Sequence, residues 1–184
     1  MIEIGARPSR RTRLVVGLTG GPEAGLGVRL LELLGDTPIE THLVMCGCAR
    51  EWVARTTGRT ADEVARLADR AYDQSNQAAK ISSGSFLTAG MIVAPCSGRS
   101  LSSISIGYAN TLIHRAADVT LKEGRRLVLL VPESALGPTS AESLARLRGV
   151  PGVVVAPVEH RERPDRVLER ALGLLELAPF SRAD

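Results

Sequence analysis

The apolar positions of this chain fall into short continuous runs, separated by stretches with helical spacing. "RLVVGLTGG" reads as a buried strand that enters a glycine turn. After it, Val28, Leu30, Leu31, Leu33 and Leu34 mark an amphipathic helix that stops near Gly35-Asp36. "IETHLVMCG" alternates and then runs apolar, which predicts a second strand. "AREWVARTTG" and "TADEVARLADRA" read as helices, the second opened by a Thr60-x-x-Glu63 capping box. "GMIVAPCSG" and "RRLVLLVPE" are strands apolar on both faces, and "SLSSISIGYANTLIHRAADVTLKEG" between them predicts a long helix rich in small residues. "SAESLARLRG", "GVVVAPV" and "PDRVLERALGLLEL" complete the pattern as helix, strand and helix. Short strands apolar on both faces, alternating with helices, predict a parallel sheet covered on both sides: a doubly wound α/β sandwich.

Composition narrows this picture without changing it. The 184 residues suit one domain with one substantial core. Apolar residues at 44% and charged residues at 23% are ordinary for a globular protein, and aromatics at 3% argue against base stacking on nucleic acid. Much of the +3 charge sits in "RPSRRTR". Residues 1–13 are therefore expected to form a basic flexible arm, 14–178 the domain and 179–184 a flexible tail. No apolar run approaches the roughly 20 residues of a membrane span, and no signal-peptide core follows the basic start, so a cytoplasmic protein is expected. Cys46, Cys48 and Cys96 do not suit a disulfide framework, and with His42, His114 and His160 scattered no metal site is expected.

In such sheets ligands sit beyond the carboxyl ends of the strands. Three ends carry small or hydroxyl residues: Thr19-Gly20-Gly21-Pro22-Glu23, Cys46-Gly47-Cys48 and Pro95-Cys96-Ser97-Gly98-Arg99-Ser100. Backbone amides, hydroxyls and helix N-termini at these points suit a phosphorylated ligand. The glycines at 17, 20, 21, 25 and 27 do not form G-x-G-x-x-G, and no G-x-x-x-x-G-K-[ST] occurs, so neither a conventional dinucleotide site nor an ATP site is indicated. Gly25 and Gly27 read instead as a close approach of the first helix to the sheet. Pro22 suits the first turn of that helix, and Glu23 suits its dipole if it faces solvent. "SSGSF" reads as a turn and cap. The charges of "HRAADVTLKEGRR" read as a solvated helix face, with a local Arg115–Asp118 pair.

Taken in order, "GLTGGPEAGLGVRLLELL", "ETHLVMC", the segment from "SSGSF" to "LVLLVPE", and "GVVVAPV" resemble the UbiX-type flavin prenyltransferases over about residues 14–176. The densest match runs from Ser83 to Glu133, where SGSF, GM-x-x-APCS, GYA and RAAD-x-x-LKE recur in order and spacing. The resemblance implies a Rossmann-like, flavodoxin-type subunit that binds FMN, in a trimer-based homo-oligomer, commonly a dodecamer. It implies transfer of a dimethylallyl group from its phosphate to N5 and C6 of reduced FMN, with the prenylated FMN passed to a UbiD-type decarboxylase. Carried over residue by residue, it assigns cofactor binding to Thr19, Gly20, Gly21, Pro22, Cys46, Ser97, Gly98, Arg99 and Ser100. It assigns substrate binding to Ser85, Arg115 and Arg161, and catalysis to Glu133 and Lys122.

Several positions depart from the family's pattern. Its loop serine is absent at Pro22-Glu23, and Cys46 stands for a flavin-contacting serine. Pro132 replaces an arginine. His160-Arg161-Glu162-Arg163-Pro164 lacks a tyrosine, and an arginine of the last helix falls near Gly173, with Arg170 as a possible substitute. Each lost phosphate-directed arginine removes about 1.5–3 kcal/mol of charge-assisted contact. The alternative reading is accordingly an FMN-binding relative that no longer transfers the prenyl group and acts as a flavin carrier or decarboxylase partner. A flavoprotein decarboxylase of cysteine-derived carboxylates is disfavoured, because "APCSGRS" lacks the asparagine-containing loop of those enzymes.

Overall fold

In a parallel sheet covered on both faces, successive residues of each strand feed opposite cores. The computed structural model describes residues 12–138, 140–159 and 162–177 and shows this division. Strand β1 (Arg13–Leu18) sends Leu14, Val16 and Leu18 into one core and Val15 into the other. The chain continues through α1 (Gly25–Gly35), β2 (Glu40–Met45), α2 (Gly47–Thr57), α3 (Ala61–Ala65), β3 (Arg70–Asp73), β4 (Gly90–Val93), α4 (Gly98–Ser105), α5 (Leu112–Lys122), β5 (Arg126–Pro132), α6 (Ser140–Arg148), β6 (Val153–Val158) and α7 (Pro164–Leu174). All pairings are parallel, in the order β3-β2-β1-β4-β5-β6. Without its β3 edge this is the flavodoxin order, and with β3 it is the Rossmann order. Helices α1 and α7 cover the first core, and α5 the second.

Three elements differ from the sequence expectation. The stretch read as one long helix is two, because α4 ends in a Schellman motif. Gly107 takes φ 70°, its amide bonds Ile104 O at 3.2 Å, and the Tyr108 amide bonds Ser103 O at 2.9 Å. Thr111 then caps α5. The helix read over "TADEVARLADRA" keeps its capping box but ends at Ala65, and β3 follows. This edge strand is mostly exposed, so no apolar alternation announces it. Finally, Arg13 opens β1 rather than closing an arm: it pairs with Glu40 at 3.2 Å and lies over the Phe86 ring. The rest of the expected arm and the expected tail lie outside the described residues, apart from Thr12. Among the described residues, no helix is long and apolar enough to cross a membrane.

Helix α1 reaches the sheet through Gly27. A Cβ there would strike the Ala94 carbonyl oxygen and lie 2.7 Å from the Leu18 side chain. Gly25 has only an ordinary 3.7 Å contact with Thr57, so the close approach belongs to Gly27 alone. Because the Ala94 atom is backbone, Gly27→Ala is expected to destabilise the fold by about 1–3 kcal/mol in urea unfolding. Gly25→Ala should cost under about 0.5 kcal/mol.

Candidate functional site at the sheet switch point

Chain direction across the sheet reverses between β1 and β4, so the loops after them diverge and leave a crevice. Thr19 fastens the two loops together. Its side chain is fully buried; the hydroxyl donates to Pro95 O at 2.7 Å and accepts from the Ser97 amide at 2.8 Å. Thr19 thus holds the crevice from beneath, and its hydroxyl is already engaged within the protein.

Gly20 and Gly21 form the floor above it. A Cβ on Gly20 would lie 2.8 Å from Cys48 Sγ and 3.0 Å from Trp52 Cδ1, so the turn packs directly on the start of α2. Cys46 caps that helix, accepting the Ala49 amide at 3.3 Å. Burial and the neighbouring Cys48 push its thiol up to about 11. Cys96 is fully buried and pushed up to about 12 by desolvation. Sequence reasoning placed Cys48 at a strand end without a role and missed Trp52 at this turn; the one tryptophan of the chain was the available signal.

Pro22 lies in the turn before α1, not in its first helical turn, with the Ala24 amide bonding Gly21 O at 3.0 Å. That is a β-turn position that favours proline. Glu23 does not simply face solvent either. Its two carboxylate oxygens each accept from Ser134 Oγ at 2.9 Å, which ties the β1 turn to the turn after β5.

Ser97 caps α4 and accepts the Ser100 amide at 3.4 Å. First-turn amides of a helix lack intrahelical acceptors, which leaves those of Gly98 and Arg99 available to an anion. Ser100 is buried, and its hydroxyl meets His114 Nε2 at 3.2 Å. Asn110 Oδ1 accepts from His114 Nδ1 at 2.8 Å, so Nε2 is the acceptor of the Ser100 proton. The scattered histidines of the sequence thus include one that orients a predicted cofactor residue.

Burial lowers the His114 pKa, and burial outweighs Glu40 in lowering that of His42. Both are neutral in the folded chain, while the unfolded chain takes up protons below the ordinary value of about 6.5. Their contribution to stability is present above that value and lost as pH falls through the lower folded value. The urea midpoint is expected to fall between about pH 7.5 and pH 5.5, and less steeply in His114→Gln.

Beyond β1, β5 and β6 lies a cleft of about 420 Å³, lined in part by Pro22, Glu23, Glu133, Ser134, Glu159 and Glu162. Glu133 is exposed at the end of β5, directly after the buried Pro132. Arg170 is committed to Glu162 at 2.7 Å and to Pro157 O at 3.0 Å. Arg161 lies outside the described residues, so its expected role has no placement here.

The remaining predicted residues lie elsewhere. Arg115 and Lys122 share Asp118 Oδ2, at 3.1 and 2.8 Å, along α5. Lys122 ends that helix at the amino edge of the sheet, just before β5 begins. Ser85 is near the same edge, bonded to Ser83 at 2.9 Å, in a loop held by Arg125 through Gly84 O and Phe86 O. Glu133 is at the opposite edge, and the seven residues of β5 span about 20 Å. A single chain therefore gathers the cofactor loops with Glu133 but not with Lys122 or Ser85. Among the described residues, no group of three or more His, Cys, Asp or Glu side chains is arranged to hold a metal ion.

These features define a doubly wound α/β protein with an amide-lined cofactor crevice at its switch point. The family described as Flavoprotein matches residues 3–167. A probable UbiX-like flavin prenyltransferase of Bacillus subtilis (strain 168) is 45% identical over 159 residues, covering 86% of this chain and 78% of the relative. A crystal structure described as a dodecameric FMN-dependent UbiX-like decarboxylase from Escherichia coli O157:H7 matches with a TM-score of 0.86 and 42% identity, covering 94% of this chain and 99% of that one. AnUbiX (PadA1), solved with FMN and dimethylallyl pyrophosphate, matches with a TM-score of 0.85 and 36% identity over 95% and 98% of the two chains. This chain belongs to the flavoprotein family, among its UbiX-like flavin prenyltransferases.

Proposed function

We propose that this protein is a flavin prenyltransferase that holds FMN in the switch-point crevice and joins to it, in reduced form, a dimethylallyl group from its phosphate. The prenylated FMN serves a UbiD-type decarboxylase, in the cytoplasm. One observation carries this reading. Gly20 and Gly21 floor the crevice, and the next two residues, Pro22 and Glu23, line the 420 Å³ cleft that holds Glu133. Cofactor loops and a second-substrate cleft are thus continuous. The relatives support it by name, and AnUbiX by its two ligands.

The residues present fit FMN. At Gly21 a Cβ would meet only Glu23 Oε2, at 3.5 Å, so the turn leaves room there for backbone to approach a flat ring, and the free amides of Gly98 and Arg99 suit its phosphate. Cys46, Ser97 and Ser100 frame the same crevice. FMN supplies the ring atoms that accept the prenyl group. The chain excludes water, orients the partners and manages charge as phosphate departs. Glu133 is the proton carrier in the cleft.

The described cleft is rich in carboxylates, whereas the second substrate is an anion. Its positive charge comes from outside this set: from Arg161 and, in a homo-oligomer, from Arg115 and Lys122 of a neighbouring copy, with the Ser85 hydroxyl of that copy as an added hydrogen-bond donor. The E. coli relative is described as dodecameric, which agrees with a site completed between subunits.

A second reading is FMN binding without prenyl transfer. Pro132 in place of an arginine and the engagement of Arg170 by Glu162 favour it. Mass spectrometry of cofactor released after incubation with reduced FMN and dimethylallyl phosphate decides between them. FMN enlarged by one dimethylallyl group is the expected result. Unmodified FMN alone would support the second reading.

A further inference from the structure

The Cys46–Cys48 pair is only partly absorbed by this function. The two sulfurs lie 2.8 Å apart. Cys46 Sγ accepts the Ala49 amide at 3.3 Å, and Cys48 Sγ packs against Gly20, the residue of the cofactor turn. Cys48 is exposed in the first turn of α2, with its sulfur against the space above Gly20. The third cysteine, Cys96, is sealed in the core.

We propose that Cys46 and Cys48 form a redox-active dithiol, oxidised by small-molecule disulfides, whose closure to a disulfide alters the cofactor turn at Gly20. The attacking group is Cys48, because it is the exposed sulfur of the pair. It loses its proton to solvent and attacks one sulfur of the small disulfide. A mixed disulfide forms and one thiolate leaves. Cys46 then loses its proton and attacks the Cys48 sulfur, and the second thiolate leaves. The protein gives up two protons and two electrons, and the small disulfide is reduced to two thiols.

The geometry suits the second step. The sulfurs are within 1 Å of the bonded distance of about 2.05 Å. Burial and the adjacent Cys48 hold the Cys46 thiol protonated at rest, at about 11. Once Cys48 is in a mixed disulfide it no longer raises the Cys46 thiol, and the Ala49 amide at 3.3 Å remains to favour the Cys46 anion. A ring closed over three residues gains little from chain entropy, so this disulfide is reversible rather than structural. On closure the Cys48 sulfur moves toward Cys46 and out of its packing position against Gly20. The turn that carries the cofactor loosens. The statement about FMN rests on the function proposed above; the thiol chemistry does not.

The test equilibrates the full-length protein with reduced or oxidised glutathione, then labels it natively with N-ethylmaleimide for peptide mass spectrometry. In the reduced protein Cys48 should label readily, Cys46 more slowly and Cys96 not at all. After oxidised glutathione, a Cys46–Cys48 disulfide should replace both labels and revert with dithiothreitol. Cys46→Ser should trap glutathione on Cys48. A stable glutathione adduct on wild-type Cys48, or two free thiols in oxidised glutathione, overturns the proposal. Flavin fluorescence should show FMN bound at least about tenfold more weakly by the oxidised protein, and no redox response in Cys48→Ser. Equal affinities overturn the coupling to the turn. FMN binding to neither form overturns the function proposed above, and the labelling still decides the dithiol.

Discussion

Replacing Glu133 with glutamine is expected to lower the rate of prenyl transfer by about 10²–10⁴-fold, with FMN affinity changed by less than about twofold. Glutamine keeps the shape of the side chain and its place in the cleft but cannot carry a proton. The backbone there is well held. Pro132 pairs with Val158 at the end of the sheet, and the Leu136 amide closes on Glu133 O at 3.0 Å. The substitution therefore tests chemistry rather than folding. Single-turnover reaction of preloaded reduced FMN with dimethylallyl phosphate is the appropriate measurement. An unchanged rate would remove Glu133 from the chemistry. Loss of FMN binding would make it a cofactor residue instead.

The second large effect is expected at Thr19. Thr19→Val keeps the volume and branching but leaves Pro95 O and the Ser97 amide without their partner, inside a fully buried site. Each stranded buried group costs about 1–3 kcal/mol, so a loss of about 2–4 kcal/mol is expected in denaturant unfolding. The same change unties α4 from β1, and FMN affinity should fall by about tenfold or more. Thr19→Ser, which retains both hydrogen bonds, should recover most of the affinity. A valine variant within about 0.5 kcal/mol of the parent would show that the fastener is dispensable.

Much of the architecture is legible in the sequence. The runs that became β1, β4 and β5 are apolar, because a parallel strand under two helical layers exposes neither face, while β2 and the edge strand β6 show shorter apolar runs. Edge strand β3 was not legible, because "RAYD" buries little and carries no period. The division of α4 from α5 was written in Gly107 and Thr111, but serines, alanines and large aliphatic residues on both sides read as one continuous helical pattern. At the site, residue types pointed to three strand ends, and these do converge. What each group does there was less visible. Thr19 reads as a ligand residue and is a fastener; Glu23 reads as a solvent-facing dipole partner and is bonded to Ser134.

The sequence by itself determined the alternation of strand and helix, the parallel sheet, the flavin prenyltransferase resemblance and the loops that border the crevice. Each of these follows from local periodicity or from an ordered run of residues. Only the tertiary structure decided which groups meet. Thr19 and Pro95 are 76 residues apart, and Glu23 and Ser134 are 111 apart. Such contacts depend on strand order, and no local pattern encodes that β1 lies beside β4. The same order places Glu133 and Lys122 at opposite edges of the sheet, where a single chain cannot bring them together.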